Sequence, residues 1–158
     1  MPSFLRKKAV HGLTAGDVFV ITRTFTWEET EKFGDLTRDY NPVHYDKKWA
    51  RAKKFDTLIC HGLLVGGMVC EFGGQVGWLA TGMDFKFLKL VYPGDTIECR
   101  ITITQMEENG RACAEGSFFN QKEVLVARVF LKGRLPAGRD KDLLNQMIDQ
   151  GDPTNKLA

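Results

Sequence analysis

Asp39 and His44 lie five residues apart in DYNPVHYD, a stretch that also holds Asn41, Pro42 and Asp46. A carboxylate and an imidazole with a proline-enforced turn between them can converge on one point. Such a pair can hold a water and move protons to and from it. Histidine suits that work because its unperturbed pKa is about 6.5. Seventeen residues beyond His44 stands His61, followed by Gly62. These two open an apolar run expected to be helical. The first N–H groups of a helix have no internal partner and sit at the positive end of its dipole. Gly62 has no side chain, so its N–H can approach a ligand closely and polarise a carbonyl oxygen.

Each of these residues has a plainer reading. Asp39 can be a residue at a helix C-terminus, and His44 a turn histidine bonded to backbone. His61 is expected to be structural, its ring bonding backbone near the turn, rather than a proton carrier. His44, Asp46 and His61 can also be read as metal ligands, but no compact spacing such as HExxH supports that. Cys70 is expected on the small face of the helix as an inert packing thiol rather than a nucleophile. Glu71, in so apolar a segment, is expected at a surface or paired.

The elements that must position these groups follow from periodicity. Residues 18–25 (VFVITRTF) are β-branched and aromatic, which favours a strand. Thr26 followed three residues later by Glu29 is a capping box, so a helix is expected from Trp27 to about Arg38. Its apolar stripe is read as Phe33, Leu36 and Tyr40. Pro42 disfavours helical geometry at Asn41 and ends that helix. A second short helix is expected from Asp46 to about Lys53. The segment Cys60–Gly77 is nearly apolar all round, which marks a buried helix. Gly62, Gly66, Cys70 and Gly74 recur every four residues, a ridge that lets another backbone come close.

Strands are expected next. Met83–Leu90 alternates, and residues 96–104 alternate strictly, with Ile97, Cys99, Ile101 and Ile103 on one face. Pro93-Gly94-Asp95 and Asn109-Gly110 are turns. Further strands are placed at about 111–119 and 123–133. Beyond Pro136 the chain turns polar, with a short amphipathic helix at 140–149 and a loose end. Residues 1–136 are thus read as one domain and 137–158 as a polar C-terminal tail. Strands gathered apart from helices indicate an α+β fold with an antiparallel sheet around one buried glycine-rich helix.

Composition narrows the function classes. The 158 residues are 43% apolar and 27% charged, as in an ordinary globular domain with its own core. Net charge is +2 and the cations are read as scattered, without the footprint of a nucleic-acid binder. Four cysteines (60, 70, 99 and 113) show no CxxC spacing and are expected as reduced, partly buried thiols. The start, MPSFLRKKAV, lacks the apolar core of a secretory signal, and no apolar run is long enough to span a membrane. A cytoplasmic location is expected.

The stretch DYNPVHYD, then FDTLICHG, resembles the hydratase 2 motif of R-specific enoyl-CoA hydratases and MaoC-like dehydratases. DFKFLKLVYPGDTI is similar to the family's strand, turn and strand, and the resemblance covers roughly residues 15–135. It implies a hot-dog fold, usually dimeric or a higher homo-oligomer, and no cofactor beyond the coenzyme A or acyl carrier protein phosphopantetheine that belongs to the substrate. It implies syn hydration of trans-2-enoyl thioesters to (R)-3-hydroxyacyl thioesters. Asp39 and His44 match the residues that activate water, and Gly62 the glycine whose N–H polarises the thioester carbonyl. Asn41 matches a motif position read as shaping the turn. Where members can carry a serine in the central helix, this sequence has Cys70. Two other classes stay open: a hot-dog thioesterase using an acid near the central helix, and a non-catalytic acyl-thioester binding module. Fold alone does not decide among them.

Overall fold

A computed structural model describes residues 3–157. Five antiparallel strands form one sheet in the order β1-β3-β4-β5-β2: β1 (Val18–Thr24), β2 (Leu79–Phe87), β3 (Thr96–Met106), β4 (Arg111–Asn120) and β5 (Leu125–Arg134). The strict alternation of β3 does what its period requires. Ile97, Cys99, Ile101 and Ile103 are all fully buried, while the residues between them are only half-buried or exposed. Phe19, Ile21, Ala114, Phe118, Val129 and Leu131 extend that apolar face across the sheet. It closes on Met68, Val69, Phe72 and Val76 of the central helical segment. Burying each of these larger side chains is worth about 1.5–3 kcal/mol. A sheet curled round one central helix is the hot-dog arrangement.

α2 (Trp27–Thr37) starts on the expected capping box, in which the Thr26 hydroxyl accepts from Glu29 N and Glu29 reaches back to Thr26 N. Its buried side is not the expected stripe. Thr30 and Gly34 face inward, whereas Leu36 is 82% and Tyr40 58% exposed. Phe33 is half-buried beside the His61 ring, Leu36 is left to solvent, and Tyr40 lies beyond the end of the helix at Arg38.

The central segment is two helices, α4 (Gly62–Gly66) and α5 (Met68–Val76), rather than one. Gly67 joins them with helical φ but ψ near −11°, so Cys70 N closes a shorter turn onto Gly67 O. Nor is it buried all round, since Leu63, Cys70 and Gly74 are exposed. The glycine ridge admits aromatic rings rather than a backbone. A Cβ on Gly62 would stand 3.1 Å from the Phe87 ring, and one on Gly66 2.8 Å from the Phe85 ring. Those rings stack 5.8 Å apart on β2. That strand therefore begins four residues before the expected Met83 and ends at Phe87, with a bulge between Ala80 and Gly82.

At both ends of the described stretch there is more regular structure than the sequence led one to expect. α1 (Phe4–His11) was not anticipated; the Ser3 hydroxyl caps it by accepting from Arg6 N. α6 (Arg139–Asp149) buries Leu144 in the core. The end beyond it is pinned, not loose. The buried Arg6 guanidinium bonds Asp152 Oδ1 at 2.9 Å and Gly74 O at 2.9 Å, and Asn155 exchanges hydrogen bonds with Gln75. Pairing across 146 residues leaves no local mark in the sequence. Among the described residues no helix is long and apolar enough to cross a membrane.

Candidate active site

The DYNPVHYD stretch is held by a chain of short-range hydrogen bonds. Arg38 ends α2 in the left-handed region (φ 60°), and Asp39 N then bonds Gly34 O at 3.2 Å. Asp39 Oδ1 accepts from Asn41 N at 3.2 Å, and Asn41 Oδ1 accepts from Val43 N at 3.3 Å. Pro42 opens a single 3-10 turn, Pro42–His44, as its fixed φ favours. Asp46 is engaged with backbone. Its Oδ1 accepts from Lys48 N and Trp49 N, capping α3 (Lys47–Ala52).

This turn delivers His44 into a buried position with its tautomer fixed. His44 Nδ1 lies 2.7 Å from Ile59 O. A carbonyl can only accept, so Nδ1 carries the proton and neutral His44 presents a bare Nε2. That Nε2 stands 4.0 Å from Asp39 Oδ2, and the carboxylate is half-exposed. Burial pushes the His44 pKa below 6.5; the Ile59 carbonyl and Asp39 act in the opposite sense, and His61 adds to the lowering.

His61 is the N-cap of α4, and its ring reaches back to the turn. Its Nε2 lies 2.9 Å from the main-chain oxygen of Asp39 and so donates. The ring stacks on His44 with centroids 3.7 Å apart and planes 25° from parallel. His61 Nδ1 is buried and has no partner among the described residues. Tyr45, not singled out in the sequence, packs its ring against both histidines and Trp27. A Cβ on Gly34 would overlap the Tyr45 hydroxyl, so that glycine makes room for it.

Asp39, His44 and His61 form the one group of described residues with metal-ligand atoms within 4.8 Å of each other. Asp46, one of the three residues considered from sequence, is not in it. The donor set fits a resident metal poorly. Nearly parallel stacked rings send their lone pairs out side by side, and His61 Nε2 is already engaged with a carbonyl.

His44 and Gly62 share a cavity of about 300 Å³, whose walls include Asn41, Val65, Phe87 and Lys89. Gly62 is the first residue of α4, so its N–H has no partner within the helix. Asp39 is not part of the cavity wall and faces His44 from beside it. Cys70 lies apart from this cavity. It is exposed and lines a separate recess of about 210 Å³ with Phe72, Trp78 and Met83, so the expectation that it is packed away is corrected. The buried thiols are Cys60 and Cys99, pushed by burial up to about 11 and about 12. Sequence reasoning also missed the Ile59 carbonyl and the rings of Phe85 and Phe87. A main-chain acceptor carries no residue-type signal, and the alternation of Met83–Leu90, which contains both phenylalanines, marks a strand but not what its rings meet.

Comparison with known proteins gives this geometry a context. A 3-hydroxyacyl-[acyl-carrier-protein] dehydratase, mitochondrial, of Arabidopsis thaliana is 33% identical over 90 residues, covering 54% of this chain. The chain spans about half that relative's length (52%). The (R)-specific enoyl-CoA hydratase of Aeromonas caviae is 26% identical over 105 residues, covering 64% of this chain and 78% of the relative. The solved (R)-hydratase of A. caviae superposes with a TM-score of 0.74 at 25% identity, covering 79% of this chain and 98% of that one. An R-hydratase of Pseudomonas aeruginosa does so at 0.74 and 22% identity, over 82% and 86% of the two chains. The MaoC like domain family matches residues 14–118, from before β1 into β4, which takes in Asp39, His44, His61 and Gly62. The chain belongs to the MaoC-like domain family.

Proposed function

We propose that this protein catalyses the reversible syn hydration of trans-2-enoyl thioesters to (R)-3-hydroxyacyl thioesters. The observation that carries the reading is the pair of proton acceptors, Asp39 Oδ2 and bare His44 Nε2, 4.0 Å apart beside the Gly62 cavity. Two acceptors have no reason to bond each other. Two hydrogen bonds of about 2.8 Å from one water, at its tetrahedral angle, span about 4.5 Å. The pair therefore suits a water that donates one hydrogen to each.

The chemistry follows from that arrangement. As the water oxygen attacks C3, its proton passes to the pair. Electrons move toward the thioester oxygen, where the Gly62 N–H stabilises the developing charge. The held proton then goes to C2, completing the addition of H and OH from one face. Thioester and carrier leave intact. No cofactor takes part, and the phosphopantetheine arm belongs to the substrate.

A homodimer accompanies this reading. Among the described residues β2 pairs only with β5, which leaves its other edge open, and its Leu79, Met83 and Phe87 are exposed. A bare apolar edge strand is a surface that proteins normally cover. A second copy would do so, and sedimentation should give twice 17.8 kDa.

The deciding experiment follows crotonyl-CoA by loss of enoyl absorbance, release of free thiol and chirality of the product. Loss of absorbance without thiol, giving R product, is expected. Thiol release matching substrate loss would make the protein a thioesterase and remove the roles given to Asp39 and His44. Tight thioester binding with neither signal would make it a binding module.

A further inference from the structure

The cations are not scattered. Residues 47–54, KKWARAKK, hold five of them and no acid, while the other 17 cations and 20 acids leave the rest of the chain at net −3. Lys47, Lys48, Arg51, Lys53 and Lys54 are all exposed, and among the described residues none forms an ion pair. The neighbouring acid, Asp46, is turned to the backbone of α3. Lys47 and Arg51 stand four apart and Lys48 and Arg51 three apart, spacings at which like charges destabilise a helix. Among the described residues no carboxylate pairs with these cations to offset that repulsion.

Amid these charges Trp49 leaves 48% of its surface exposed, with the Lys53 ammonium 5.7 Å from its ring centroid. A half-bare indole among cations, Arg included, has the composition of a protein-binding anchor. None of the five cations lines the His44 cavity, whose wall carries Lys89 instead. They lie on open surface, which suits the face of another protein better than the phosphates of a small molecule. The surface is also tied to the site, because α3 starts three residues after His44 and its cap, Asp46, belongs to the same turn.

We propose that α3 is the docking face for an acidic acyl carrier protein, which presents its thioester to the cavity. This rests on the enoyl-thioester reading above and specifies the carrier. Complementary charge would act chiefly on encounter, raising association and making it fall with salt.

The test uses the charge-reversed variant Lys47→Glu/Lys48→Glu/Arg51→Glu and, separately, Lys53→Glu/Lys54→Glu, each checked for an unchanged melting curve. Crotonyl thioesters of uncharged pantetheine, of coenzyme A and of an acidic acyl carrier protein are compared. Electrostatic steering is worth 10–10³ in association rate, so kcat/KM for the carrier-borne substrate should fall at least about tenfold in one variant or both. The pantetheine substrate should hold within about twofold and coenzyme A within about threefold. Direct titration of carrier protein into the wild type and the variants, at low and raised salt, should show the same loss without any turnover. That measurement decides the docking face even if no thioester is hydrated, an outcome that would sink only the proposed reaction. Unchanged carrier binding overturns the proposal. So does an equal loss with coenzyme A, which would make the patch a phosphate site. Tighter retention of duplex DNA than of carrier protein at matched salt overturns it too.

Discussion

His61→Phe separates holding the site from performing its chemistry. The phenyl ring keeps the stack on His44, 3.7 Å between centroids in the native protein, and removes the 2.9 Å hydrogen bond to the Asp39 carbonyl. One such bond is worth about 1 kcal/mol net, and the freed carbonyl lies beside a half-exposed residue that water can reach. For a domain of this size the melting temperature should drop only about 2–4 °C. The rate effect should be larger. The gap between Asp39 Oδ2 and His44 Nε2 is 4.0 Å, already close to the reach of one water. Widening it by about 1 Å carries the pair past the roughly 4.5 Å that one water spans and weakens both bonds, and displacements of that size cost about 10²-fold in turnover. Steady-state hydration of crotonyl-CoA should therefore show kcat down by about that factor with KM nearly unchanged. His61→Gln, whose amide can donate to the same carbonyl, should recover part of the loss. A kcat for His61→Phe within threefold of wild type would refute the reasoning.

Removing either proton acceptor should be more severe: Asp39→Asn and His44→Ala should each lose about 10²–10⁴ in turnover, Asp39→Asn with a melting curve near wild type and His44→Ala with a lowered one, because it empties the space beside His61 and frees the Ile59 carbonyl. Because the folded protein holds the His44 pKa below 6.5, its accepting form persists as pH falls through that value, and the acid limb of kcat/KM should lie on the acid side of 6.5. The same shift gives a stability signature. The contribution of neutral His44 is complete above pH 6.5 and is lost as pH falls from there toward the folded-state pKa, so urea midpoints should decline over that window more in wild type than in His44→Gln. Asp152→Ala should cost about 3–5 kcal/mol by leaving the Arg6 guanidinium buried and unpaired. Arg6→Met/Asp152→Leu should recover most of that, and a melting shift below 2 °C for Asp152→Ala alone would show that the pair does not hold the chain ends. Gly66→Ala should destabilise by about 1–3 kcal/mol against the Phe85 ring. Gly74→Ala, which meets nothing within 4 Å, should instead stabilise by up to about 1 kcal/mol; equal effects in denaturant titrations would contradict the close packing at Gly66.

What could be read from sequence was what local chemistry dictates. β3 alternates because one face is core, and period two then fixes every side chain on it. The Thr26–Glu29 box and the Asn41-Pro42 turn are satisfied within a few residues, so residue types alone announce them. Legibility failed where a partner is distant or lacks a side-chain identity. Leu36 and Tyr40 show the helical spacing of a buried face, but periodicity cannot say whether anything covers Leu36 or that Arg38 ends the helix before Tyr40. The partner of Arg6 is 146 residues away. The tautomer of His44 depends on the main-chain carbonyl of Ile59, which any residue would supply. The basic run at 47–54 was in plain view, but a whole-chain net charge of +2 averaged it away.

The interlock of Phe85 and Phe87 with Gly66 and Gly62 works as a gauge. Two residues along a strand advance about 6.6 Å, and four along a helix about 6 Å. Rings and notches on these two repeats come into step over one short stretch. A slip of one residue would set Leu63 or Gly67 where Gly62 or Gly66 now accepts a ring, and Leu63 could not accept one. The position of the Gly62 N–H is therefore indexed to β2, a strand at the border of the sheet. Anything that straightens, bends or extends that border moves the Gly62 N–H with it. If the proposed dimer forms along that edge, assembly and alignment of the site become the same mechanical adjustment.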